Sequence, residues 1–138
     1  MMNVWVRIGS GLSEDNLDMA FSGQIEEESG QYSCFWTENR AEGESVESSL
    51  FFALEEKEIS LSRKGEQSVD LLFSENRKKA CLVKTKYGDF PAEIFTHRAE
   101  ILEKKEKEGF LIFLEYDMIF EGMEPERNRI EMDISFSS

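Results

Sequence analysis

Apolar side chains return at every second position in this chain, stretch after stretch. Leu17, Met19, Phe21 and Ile25 keep that beat with Gly23 in phase. So do Phe110, Ile112, Leu114, Tyr116, Met118 and Phe120, and then Ile130, Met132, Ile134 and Phe136. Successive side chains of a strand point to opposite faces, so the pattern predicts strands with one apolar face each. Shorter stretches repeat it: Val4, Val6 and Ile8; Leu50, Phe52 and Leu54; Ile59, Leu61 and Arg63; Val69, Leu71 and Phe73; and residues 80–87. In residues 31–37, Tyr32, Cys34 and Trp36 share one phase while Phe35 intrudes on the polar one.

Turn signals separate these stretches. Gly9-Ser10-Gly11 with the polar Ser13-Glu14-Asp15-Asn16, Lys64-Gly65-Glu66, Ser74-Glu75-Asn76-Arg77, Gly88-Asp89 and residues 122–128 with Pro125 all break the alternation. Glu28-Ser29-Gly30 lies between strands 17–26 and 31–37 and makes them a hairpin. Residues 38–45, polar and carrying Gly43, read as a loop before the strand 46–54. Residues 110–121 would extend about 40 Å at roughly 3.3 Å per residue, so a bend or bulge is expected in that strand.

Residues 90–108 are read two ways. Phe95, Ala99 and Leu102 stand at helical spacing, and 103–108 is rich in helix formers. Ile94, Phe95 and Thr96 favour a strand, with Pro91 tolerated near its start, and local pattern sets strand ahead of helix. With no long amphipathic helix to cover them, many one-faced strands are best buried by closing the sheet on itself. The expected fold is all-β, one antiparallel, mostly up-and-down closed barrel of about eight to ten strands, spanning residues 1–138 as a single domain.

Composition narrows function by exclusion. The net charge is −13, and residues 14–58 supply most of it, with Arg40 and Lys57 as their only bases. Arg77, Lys78, Lys79, Lys84 and Lys86 form a short basic stretch. An acidic surface repels phosphate backbones, which argues against nucleic acid and leaves solubility, or a basic protein partner, as the use of the excess. The longest apolar runs, 50–54 and 110–114, are too short to span a bilayer, and the first residues lack a signal peptide's basic start and apolar stretch. A cytoplasmic protein without membrane contact is expected. Cys34 and Cys81 sit far apart with no second Cys or His at ligand spacing, so they read as free thiols, not a bridge or metal site.

The order of several short segments resembles the YwiB-like family of small bacterial proteins of unknown function. The residues that carry the likeness are Ile59-Ser60-Leu61-Ser62-Arg63-Lys64-Gly65, Lys84-Thr85-Lys86-Tyr87-Gly88, Leu114-Glu115-Tyr116-Asp117-Met118 and Asn128-Arg129-Ile130-Glu131-Met132. The resemblance covers nearly the whole chain. It implies a lipocalin-like, calycin-type β-barrel, favours strand for 90–108, and implies no activity.

No Walker-type phosphate loop, nucleophile elbow, H-E-x-x-H or C-x-x-C occurs, and no cofactor or catalytic residue is called for. His97, the one histidine, reads as a surface or cross-strand residue rather than a general base. Glu115 and Asp117 share one strand face and read as the wet outer side of a long strand, with a hard-cation site as the rarer use. Glu26-Glu27-Glu28 reads as a solvated hairpin end. Arg63 continues the apolar phase of Ile59 and Leu61, so a continued strand aims its guanidinium toward the barrel interior or its rim, where it needs an anion, either a neighbouring carboxylate or a ligand. Thr85 and Tyr87 share the phase of Cys81 and Val83, and Tyr116 shares that of Ile112 and Leu114. Two functions follow. One is a barrel that binds a small, partly apolar or anionic ligand, with Arg63, Thr85, Tyr87 and Tyr116 at its wall. The other is a non-enzymatic interaction or structural module, as a homodimer or with a protein partner, using its acidic outer surface.

Overall fold

In the computed structural model of the chain the alternation becomes ten strands. They are β1 (Met2–Gly9), β2 (Met19–Glu28), β3 (Gln31–Asn39), β4 (Ser45–Ala53), β5 (Glu58–Lys64), β6 (Ser68–Ser74), β7 (Lys78–Thr85), β8 (Gly88–Glu103), β9 (Gly109–Phe120) and β10 (Glu126–Phe136). The structure describes residues 1–9, 19–39, 43–56 and 58–137. The expected loop at residues 13–16, the Leu17 start of the second strand, Arg40 and Lys57 lie outside them.

Each strand pairs antiparallel with its sequence neighbours, and β1 closes on β10, so the meander is a closed barrel. Closure leaves no free sheet edge. The register places one phase of every strand inside. Val6 faces Phe21 on β2 and Ile134 on β10, and Leu61 lies between Leu50 and Leu71. Leu50, Ile59, Phe73, Ile94, Phe110, Ile112, Leu114 and Ile134 are fully buried, so the barrel is filled by its own side chains.

Local chemistry sets the joints. Ser29 and Gly30 both take positive φ, 53° and 82°, between β2 and β3. That is the two-residue hairpin turn whose twist matches the strands it joins, and glycine adopts it without strain. Gly109 opens β9 at φ 149°, where a Cβ would collide with the Ile134 carbonyl oxygen of β10.

Two expectations are corrected, and the strand reading of 90–108 holds as far as Glu103. The loop at 38–45 begins later than its polarity suggests: β3 continues to Asn39, and Glu38 stays on the inward beat of Tyr32, Cys34 and Trp36. The helical alternative for 90–108 gives way to β8 as far as Glu103, followed by a 3-10 turn at Lys105–Lys107. Of the helically spaced Phe95, Ala99 and Leu102 only Ala99 is buried, and it faces inward because a register shift between Thr96 and Arg98 moves the inward phase from Ala92, Ile94 and Thr96 to Ala99. The bulge expected in the strand 110–121 thus sits in its partner, and β9 pairs with β10 in unbroken register.

Candidate functional site

Arg63 lies on β5 between Ser48 of β4 and Val69 of β6, pointing inward. Its Nη2 donates to both carboxylate oxygens of Glu38, at 2.8 and 2.7 Å. Glu38 is buried and also accepts from Ser48 Oγ at 3.0 Å and Trp36 Nε1 at 3.3 Å. A buried charge survives where its lone pairs are matched, and here four donor contacts from three side chains match one carboxylate. The anion that an inward arginine requires is therefore Glu38, a residue the loop reading of 38–45 concealed.

Tyr116 is buried on β9 and meets the Phe73 ring edge-on, with centroids 5.0 Å apart. Burial pushes its phenol up, and the Arg63 guanidinium pulls part of the way back. Arg63 and Tyr116 therefore share one end of the interior. Beside Tyr116 in the register, Thr96 is fully buried, and its Oγ1 has no hydrogen-bond partner.

Thr85 and Tyr87 are elsewhere. Thr85 Oγ1 donates to the Gly88 carbonyl at 2.9 Å and accepts from the Tyr87 amide at 3.0 Å, which ties off the β7–β8 turn. Tyr87 is 82% exposed, with Lys86 Nζ 5.2 Å from its ring. It stands outside the wall because the inward phase of β7 ends at Thr85 and the chain turns before another inward position. Of the four residues singled out, the structure brings Arg63 and Tyr116 together and leaves Thr85 and Tyr87 at a hairpin tip.

At the opposite end of the barrel lies an open cleft of about 730 Å³. Its floor is aromatic. Tyr32 stacks on Phe52 at 5.2 Å and meets Phe110 edge-on at 4.8 Å, and Phe110 meets Phe136 at 6.0 Å. Its rim is acidic, with Glu26, Glu27, Glu28 and Glu103 facing one basic side chain, Lys107, and with Met1 also in the lining. Desolvation raises the Tyr32 phenol, and the Glu27 and Glu103 carboxylates raise it further, so it remains a neutral O–H at physiological pH. Glu26-Glu27-Glu28 is the solvated hairpin end that the sequence predicts, and Glu27 in addition continues the inward beat of Phe21, Gly23 and Ile25. That phase was the available signal for this cleft.

Glu115 and Asp117 are on the outer face, as read. Arg127 bridges them at 2.8 and 2.7 Å, and His97 bonds Asp117 at 2.8 Å. Partial desolvation works against the Asp117 charge, but hydrogen bonds from His97 and Arg127 outweigh it and hold the carboxyl below its usual range. Both cysteines are free, and burial alone pushes Cys34 up to about 12. No group of three or more His, Cys, Asp or Glu converges as a metal site among the described residues, and no described helix is long and apolar enough to cross a membrane.

These features define a closed ten-stranded antiparallel barrel with a packed interior and a cleft at its mouth. The chain belongs to the family described as a domain of unknown function, DUF1934, which it matches over residues 5–132. It is similar in fold to the crystal structure of the YwiB protein from Bacillus subtilis, with a TM-score of 0.79 at 13% identity over 99% of this chain and 93% of that one. No curated protein matches it. At that identity the likeness speaks for the barrel and leaves activity to be argued from the site.

Proposed function

We propose that this barrel binds a small, partly apolar organic cation in the cleft at its mouth. The observation that carries the reading is the pairing of an aromatic floor, Tyr32, Phe110 and Phe136, with a rim of four glutamates against one lysine. Aromatic faces and carboxylates both favour a positive charge, and partial desolvation strengthens both attractions. The cleft volume falls within the range of about 300–1,000 Å³ typical of small-molecule sites, and the mouth of a barrel is a usual place for one. The ligand sits above the packed core, because the interior is occupied by the protein's own side chains. An anion at Arg63 is disfavoured, since Glu38 already fills that role.

Calorimetry with tryptamine, indole and indole-3-acetate tests the reading, since these share one aromatic body and differ in charge. Tryptamine should bind best and weaken with added salt, and a Glu27→Gln, Glu103→Gln double variant should lose about tenfold or more. Equal binding of the three, or preference for the acetate, overturns the cation assignment. Undiminished tryptamine binding by a Tyr32→Ala variant overturns the location.

A further inference from the structure

The outer wall formed by β1–β6 is short of charge in a chain that carries −13. The register aligns its outward residues in rows. Asn3, Gln24, Phe35, Ser49 and Ser62 follow one another across β1–β5. Ser33, Phe51, Ser60 and Leu72 form the next row across β3–β6. Trp5 lies beside this block, opposite Ser22. The outward charges of these strands, Arg7, Glu26, Glu28, Glu47, Glu58, Lys64 and Asp70, border it.

Within this block Phe35 and Phe51 are 38% and 42% exposed, and Trp5 is 52% exposed. The two phenylalanines pack edge-on at 6.0 Å and form one ridge. Recesses flank the ridge on both sides. One, of about 630 Å³, includes Gln24, Thr37, Ser49 and Ser62 with the charged Glu47 and Lys64, and the other, of about 220 Å³, includes Ser33, Ser60 and Leu72 with Glu56 and Glu58 at its edge.

We propose that this wall is a homodimer interface, with the Phe35–Phe51 ridge of each copy seated in a recess of the other. Two features select a second copy over a different protein. An isologous contact needs knob and hole on the same patch, and this patch carries both. A chain of net charge −13 approaches its own copy with least repulsion where outward charges are sparse, and the Glu47–Lys64 register pair of the larger recess sums to zero, whereas a basic partner would be drawn to the acidic ends of the barrel.

Sedimentation velocity over a concentration series tests this. The full chain should dimerise, and its affinity should rise with salt, because salt screens the repulsion between two acidic copies. Phe51→Glu should weaken the dimer at least about a hundredfold, since it places a carboxylate at the centre of the contact on both copies. Phe113→Glu, on the opposite wall, should leave association unchanged. Because a surface glutamate can also perturb folding, a second variant is read independently. Ser49→Cys, beside the ridge, should form an intermolecular disulfide under mild oxidation, and Glu100→Cys, on the opposite wall, should not. A wild-type chain that stays monomeric at high concentration, association that weakens with salt, or cross-linking by Glu100→Cys but not Ser49→Cys would each overturn the proposal.

Discussion

The two outer walls of this barrel are built on the same alternation and carry opposite chemistry. On β8, β9 and β10 the outward positions are an ion-pair lattice: Arg127 with Glu115 and Asp117, His97 with Asp117, and Arg98 with Glu100. The aromatic residues there are covered. The Arg98 guanidinium lies 4.7 Å from the Phe113 ring centre, and the His97 ring meets Phe95 at 4.9 Å. On β2–β5 the outward positions are mainly hydroxyls and amides, and Phe35 and Phe51 form a ring pair with each other. Both walls enclose one packed interior, so core packing does not account for the difference. An outward residue of a closed barrel answers to solvent or to a partner, and a cationic or imidazole cover over an outward ring leaves less apolar surface to associate.

Interior charge offers the sharpest contrast with both walls. Arg63→Ala leaves Glu38 buried without its main partner and should cost about 3 kcal/mol in urea denaturation. An Arg63→Met, Glu38→Met double variant should recover most of that loss, because a packed apolar pair has no charge to desolvate. If Arg63→Ala is no more costly than the removal of an outer-wall charge, the interior pair is not the buried contact described above.

A paired substitution then separates the walls. Phe113→Ser removes a ring stacked under Arg98, and Phe51→Ser removes one ring of an edge-on pair; each should lower monomer stability by about 1 kcal/mol. Only Phe51→Ser should abolish the dependence of the thermal midpoint on protein concentration that a dimer imposes. The same change in both variants would erase the distinction between the walls.

The smallest effect is the pH dependence of the charged wall. The folded Asp117 carboxyl titrates below its ordinary range, so its stabilisation is full above about pH 4 and drains as pH falls through the lowered folded value. Wild type should exceed Asp117→Asn in urea midpoint by a constant margin near neutrality, and the margin should shrink on acidification. A margin that widens toward low pH would contradict the geometry of the His97–Asp117–Arg127 cluster.

Much of the fold was legible because a strand's period is a property of consecutive residues. Nine of the ten strands follow from alternation and turn chemistry, down to the hairpin at Ser29 and Gly30, and β8 was favoured over a helix by local pattern. Legibility failed where two local signals competed. Polarity at Glu38 outweighed its phase, and the slip between Thr96 and Arg98 interrupted the alternation of β8. The candidate site was less legible. Arg63 was correctly aimed inward, but its partner lies 25 residues away, and the mouth residues Glu27, Tyr32, Glu103 and Phe136 come from separate strands.

By itself the chain determined that it is β, where its turns fall, and which residues of a strand share a face, since those follow from backbone stereochemistry over a few residues. Only the closed tertiary structure decided which faces meet: that Glu38 answers Arg63, that the acids of β2 gather at a mouth, and that one outer wall gathers hydroxyls, amides and a pair of phenylalanines. Register across strands is set by the packing of all ten at once, and no local stretch of sequence contains it.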